Sequence, residues 1–129
     1  MNKILIEVSV GELLDKISIL EIKKEKIQDR EKLKFINDEH AILTEQLDQN
    51  VKSDDKLNSL FQSLKEINSK LWIIEDDKRM CEKNSDFTKN FIKLSRDVHF
   101  LNDDRAKIKL DINIHTGSKI KEIKEYTSY

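Results

Sequence analysis

Proline is absent from this chain, and glycine occurs only at Gly11 and Gly117. Proline clashes inside a helix and removes a backbone donor, while glycine weakens a helix through backbone entropy. A chain of 129 residues nearly free of both reads as all-α. The lone cysteine, Cys81, excludes an intrachain disulfide and suits a reducing compartment. No stretch approaches the ~18 apolar residues of a membrane span. The N-terminal alternation Ile4, Ile6, Val8, Val10 is interrupted by Glu7 and is followed by no small-residue cleavage site, so it is not a signal peptide. A cytoplasmic location and no membrane partner follow as expectations. An excess of one charge is missing as well. Lys plus Arg (24) balances Asp plus Glu (25) for a net charge of −1, so no whole-protein field is available to collect nucleic acid.

What the chain does contain is apolar residues spaced alternately by three and four. Leu57, Leu60, Leu64, Ile67, Leu71 and Ile74 continue to Lys78 and Cys81 in one register, the seam of a long helix at about 3.5 residues per turn. Val10, Leu13, Ile17, Leu20 and Ile27 form a seam on an earlier helix, with Lys24 at its fifth position. Leu33, Ile36, His40, Leu43 and Leu47 form a third, and Phe87, Phe91, Leu94, Val98, Leu101, Arg105, Ile108 and Ile112 a fourth. The register breaks predict helices over about 10–28, 30–49, 54–83 and 86–116, with a tail from 117 to 129. Residues 3–8 read as a short extended segment. Ser9 to Glu12 has capping-box spacing, Ser9 accepting an amide and Glu12 reaching back. Asn84 is the residue expected to turn left-handed after the third helix.

The architecture expected is one domain, an antiparallel four-helix bundle or an elongated helical hairpin with coiled-coil-like heptad packing. The two long helices would protrude beyond the short pair as a bare coil. Exposed seam residues there favour a second copy, so a homo-oligomer, most simply a dimer, is the expected assembly.

Beside the seams run polar stripes. Asn68, Trp72, Glu75 and Arg79 follow one another at steps of four, three and four, and Asn102, Arg105 and Lys109 form another stripe. Counted outward from the Asn84–Ser85 turn, Asn68 falls opposite Asn102. The two stripes could close a polar pocket, with arginine holding a carboxylate or phosphate by two bonds. The competing reading is that Arg105 pairs inside the protein with Glu66 or Glu75 and only fixes helix register.

Metal chemistry has less support. Glu75-Asp76-Asp77 and Asn102-Asp103-Asp104 are acidic, but consecutive helical residues diverge by about 100°, so each cluster offers one or two ligands per face. No metal site is expected, and magnesium stands as the alternative. His99 and Asp103 are four apart, which suits a solvated pair. His40 reads as a seam residue, and His115 lies near a helix end. A Gly-rich phosphate loop, a Cys-x-x-Cys pair and a nucleophile motif are all missing, so no reaction is read from the sequence.

Three blocks carry a resemblance. Ile6-Glu7-Val8-Ser9-Val10-Gly11-Glu12-Leu13-Leu14-Asp15-Lys16-Ile17 and its continuation to Lys23 resemble the opening of a family of small uncharacterised bacterial and marine-phage proteins. Asn68 to Arg79, read N-x-x-x-L-W-x-I-E-D-D-x-R, resembles their second block. Phe87, Phe91, Leu94, Arg96, Asn102, Asp103, Arg105, Ala106, Lys109 and Asn113 resemble the third. His99 stands where that family carries an aromatic residue. The resemblance implies one domain and a bacterial or host cytoplasm, and it brings no chemistry. Glu12-Leu13-Leu14-Asp15, with Glu21 and Glu25 beyond it, resembles the acidic steps of all-α nucleotide pyrophosphohydrolases, although a second paired step is missing. Arg79, Arg105, Lys24 and Lys109 resemble the cations around the dicarboxylate of all-α chorismate mutases, with Lys16 or Lys24 in place of the usual N-terminal arginine. Two functions are therefore carried forward: an oligomeric interaction or scaffold module, and an anion-binding bundle that could be an enzyme on a carboxylate or phosphate metabolite.

Overall fold

Side-chain caps set three of the helix starts in the computed structural model, which describes residues 2–129. Ser9 Oγ accepts from the Glu12 amide at 3.0 Å and opens α1, Val10–Lys26. Asp29 caps α2, Arg30–Asn50, through the Lys32 amide, and Asp54 caps α3, Asp55–Lys83, through the Leu57 amide. Each carboxylate or hydroxyl satisfies an N–H that the first helical turn leaves without a partner. The fourth helix, α4, runs Lys89–Thr116 from Thr88, which makes no side-chain cap. It closes on Gly117, whose φ of 66° is the left-handed conformation that glycine adopts without strain.

The α3–α4 turn lies one residue later than the sequence suggests. Asn84 keeps φ −94° and Ser85 takes the left-handed position at φ 52°. The Asp86 amide donates back to the Cys81 carbonyl at 2.8 Å, a six-to-one closure that fixes the reversal at Ser85. The apolar residues 3–8 form no strand: no strand occurs among the described residues, and this segment is exposed and irregular.

The four helices pack as a bundle organised around α1, which lies against α2, α3 and α4. The other extensive packing joins α3 to α4 as an antiparallel hairpin, and the backbone of α2 closely approaches neither of the long helices. Leu14 of α1, Leu57 and Leu64 of α3 and Ile112 of α4 make the core, with Leu47, Phe61 and Ile108 against it. The α3 seam faces inward along its length, Leu57, Leu64, Leu71 and Cys81 being buried. Toward the turn the hairpin packs only on its own seam. There Ile73, Met80, Phe87 and Ile92 are each more than half exposed. No helix among the described residues is long and apolar enough to cross a membrane.

Candidate functional site

A central helix must bury more than one face, and α1 buries a second stripe beside its apolar seam. Gly11, Asp15, Ser18 and Ile22, at steps of four, three and four, are all buried. Gly11 allows α4 to come close: a Cβ there would lie 2.5 Å from the Lys109 carbonyl oxygen. The Gly11 amide donates to Asn113 Oδ1 at 2.7 Å, and the Val10 amide to Ser118 Oγ at 3.2 Å. The start of α1 is thereby tied to the end of α4.

One turn on, Asp15 gathers the polar residues of three helices. Arg105 of α4 donates Nε–H to Oδ1 at 2.9 Å and Nη2–H to Oδ2 at 2.5 Å. Asn68 of α3 donates one amide proton to Asp15 Oδ1 at 2.9 Å and the other to Ser18 Oγ at 2.8 Å. Ser18 in turn donates to the Asp15 carbonyl. Lys109 Nζ lies 3.8 Å from Asp15 and bonds Glu12 at 2.7 Å and Glu122 of the tail at 3.4 Å. Burial opposes ionisation of Asp15, but hydrogen bonds from Arg105 and Asn68 and the charges of Arg105 and Lys109 outweigh it, so its pKa falls below the ordinary carboxylate value. Its hydrogen bond to Asp15 raises the pKa of Arg105 against a smaller effect of burial. Burial is the largest influence on Lys109 and acts to lower its pKa. Its bond to Glu12 and the charges of Asp15, Glu12 and Glu122 overcome burial and raise it.

This arrangement corrects two expectations. Arg105 is paired internally with Asp15, which comes from α1, whereas Glu66 and Glu75 lie on α3. Glu12 does not reach back to complete a capping box, because its carboxylate is held by Lys109. The Glu12–Asp15 step that resembles a magnesium-binding pair instead faces the protein's own cations. No cluster of three or more metal-ligating side chains occurs among the described residues.

The seven candidate site residues divide. Asn68, Trp72, Glu75, Arg79 and Arg105 line one groove of about 320 Å³ beside the Asp15 network. Asn102 lies outside it, meeting only Arg105 Nη1 at 3.5 Å, in a cleft between α4 and the C-terminal tail. Lys109 is buried and does not line the groove, its Nζ lying 3.8 Å from Asp15 Oδ2. His99 stacks on Tyr129 of the tail with ring centroids 5.0 Å apart, and the Tyr129 hydroxyl donates to Asp103. His40 pairs with Glu21 at 3.3 Å, and His115 with Asp54 at 2.8 Å. The sequence does carry a signal for Asp15 and Ser18: α1 has two inward-facing stripes at helical spacing, one apolar and one small and polar, as a helix with neighbours on several sides requires.

No curated protein and no solved structure matches this chain. Its sequence does match the profile of a family of unknown function, DUF6165, over residues 4–129. That match spans nearly the whole chain, and the protein belongs to this family.

Proposed function

We propose that this protein is an interaction module that associates with a second copy of itself through the turn end of the α3–α4 hairpin. The observation carrying this reading is its surface. A compact monomer of 15.3 kDa exposes roughly 7,100 Å², whereas this chain exposes 9789 Å². The extended segments at both ends account for part of the difference, and the hairpin arm adds to it. The difference, roughly 2,600 Å², exceeds the ~800 Å² that each partner buries in a standard interface. Ile73 and Met80 are seven apart on α3, and Ile92 and Phe100 eight apart on α4, all at least 39% exposed, so each helix offers an apolar stripe of its own. An isologous pairing of two arms would cover both.

Sedimentation velocity over about 1–100 µM tests the reading, since mass action makes assembly depend on concentration. A dimer is expected at the upper end. Met80→Glu combined with Ile92→Glu is expected to weaken it by about tenfold or more while helical circular dichroism stays unchanged. A monomer throughout that range would rule the module out.

Anion binding is the second reading, and Arg79 favours it. It lines the groove beside Trp72 and faces the same space as Arg105, and it takes part in no ion pair among the described residues. A carboxylate or phosphate held there would need no internal pair to break. Inorganic phosphate and a short dicarboxylate at ~100 times their dissociation constants would add ~2.7 kcal/mol, a rise in melting temperature that Arg79→Ala should abolish. Unmoved melting curves with both anions would count against it.

A further inference from the structure

Two side chains lining the groove beside Asp15 are held from behind by that carboxylate, Arg105 and Asn68. Asp15 takes the Nε and Nη2 side of the guanidinium. Nη1 is left with one long bond of 3.5 Å to Asn102. A guanidinium carries five donors in a fixed fork, and the Arg105 side chain stays 29% exposed. One edge is therefore locked while a second is open to a ligand.

Asn68 supplies the complementary group. It is only 5% exposed, and Asp15 and Ser18 accept its two amide protons. That fixes the amide orientation and leaves Oδ1 as the end with no donor among the described residues. Oδ1 is not sealed in the core, since Thr44 Oγ1 is the one side-chain nitrogen or oxygen there that is buried without a partner. Asn68 Nδ2 and Arg105 Nε both bond Asp15 Oδ1 at 2.9 Å, so the free acceptor and the free donor edge lie within reach of one small ligand. Ile19, Leu71 and Trp72 give the groove apolar walls. At its exposed rim Glu75 and Asp76 stand with Arg79, so two carboxylates offset the two arginines. A net anion gains from the arginines and loses to the acids, whereas a zwitterion gains from both.

We infer that this groove binds a free α-amino acid with an apolar side chain. Its carboxylate would take the open edge of Arg105, its ammonium would donate to Asn68 Oδ1, and its side chain would lie on Ile19, Leu71 and Trp72. A volume of about 320 Å³ suits a ligand of this size. The inference rests on the anion-binding reading and adds the second charge. Asp15 then has a further part as the positioning residue that aims Arg105.

Trp72 is the only tryptophan of the chain, so its fluorescence, excited where phenylalanine does not absorb, reports on this groove. The full-length protein is titrated with L-phenylalanine, 3-phenylpropionate and L-phenylalaninamide. L-phenylalanine is expected to give a saturable change. The other two, each missing one charged group, should bind about tenfold more weakly. Arg105→Lys keeps a charge opposite Asp15 but has no second edge, and should weaken L-phenylalanine by about tenfold with helical circular dichroism retained. Glu75→Gln with Asp76→Asn lies on the exposed rim and leaves the Asp15 network intact. It should weaken L-phenylalanine and tighten 3-phenylpropionate, each by about twofold, opposite signs that a loss of structure would not give. No saturable change with L-phenylalanine, or equal binding of the three compounds, would overturn the inference. L-phenylalanine and 3-phenylpropionate binding equally, and both lost in Arg105→Lys, would overturn it while leaving the anion reading in place. Silence to all three compounds and to phosphate would remove both.

Discussion

Asp15→Ala is expected to lower the free energy of unfolding by about 3–5 kcal/mol, the range for removing one partner of a buried ion pair. The side chain of Asp15 is 2% exposed, and it is where Arg105, Asn68 and Lys109 converge. Without it, a guanidinium, an amide proton and an ammonium lose their acceptor together. Arg105 remains 29% exposed through the groove and can turn partly toward water, which favours the lower half of the range. Urea midpoints measure the loss, and a change below about 1 kcal/mol would show that the network holds little of the fold. Replacing both partners, Asp15→Leu with Arg105→Met, should recover much of the stability, because no unpaired charge is then buried.

The same carboxylate gives a pH dependence whose sign is fixed by its environment. The pKa of Asp15 is lowered in the folded protein, so its stabilisation is fully present above the unfolded value of about 3.9 and is lost as pH falls through the folded value. Asp54, Asp86 and Glu122 are also lowered and act in the same acid window. The part belonging to Asp15 is therefore the difference between the wild-type and Asp15→Asn curves below about pH 4. That difference is expected to shrink steadily with acid.

Gly11→Ala is expected to cost about 1–6 kcal/mol, against the helix-propensity scale. Propensity alone would give a gain of up to ~1 kcal/mol for alanine over glycine. Sterics decide otherwise here. The new Cβ would meet the Lys109 carbonyl oxygen at 2.5 Å and Asn113 Oδ1 at 2.9 Å, and the first is backbone that cannot swing aside. Relief requires α1 to move off α4, at ~1–3 kcal/mol for overpacking and a further ~1–3 kcal/mol for the lost bond from the Gly11 amide to Asn113. Thermal unfolding should show the drop. Gly117→Ala is the control, with φ 66° and nothing within 4 Å of its Cβ. There only the left-handed backbone is strained, at ~1–2 kcal/mol. A higher melting point for Gly11→Ala would mean that α1 and α4 are not in close contact.

Much of the helical fold can be read locally. The α3 seam is buried because its period matches a helix packed against other helices, and Ser9 opens α1 because a hydroxyl there meets a free amide. The site is less legible. Counting outward from one turn aligns only the two helices joined by it, so it sets Asn68 against Asn102 and leaves out α1. In the fold Asn68 bonds Asp15 and Ser18, residues 53 and 50 positions away in the chain. Nothing in the period of α3 or α4 identifies a partner from a third helix. The left-handed Ser85 is invisible for a related reason: Asn is the better left-handed residue by itself, and the hydrogen bond from Asp86 to Cys81 overrules it.

The tie between the two ends of the chain sets an order of assembly. Gly11 meets Asn113 across 102 positions, and Val10 meets Ser118 across 108, whereas the α1–α2 and α3–α4 hairpins each close over a short turn. Local hairpins form early, and long-range closures bear the larger loop entropy and come late. Arg105 lies 90 positions beyond Asp15, and Asn113 lies 102 beyond Gly11, so α1 gains these partners only once α4 is present. A chain stopped before α4 would present a buried-type carboxylate and the apolar face of α1 to solvent, the state in which premature association between nascent copies is most favoured.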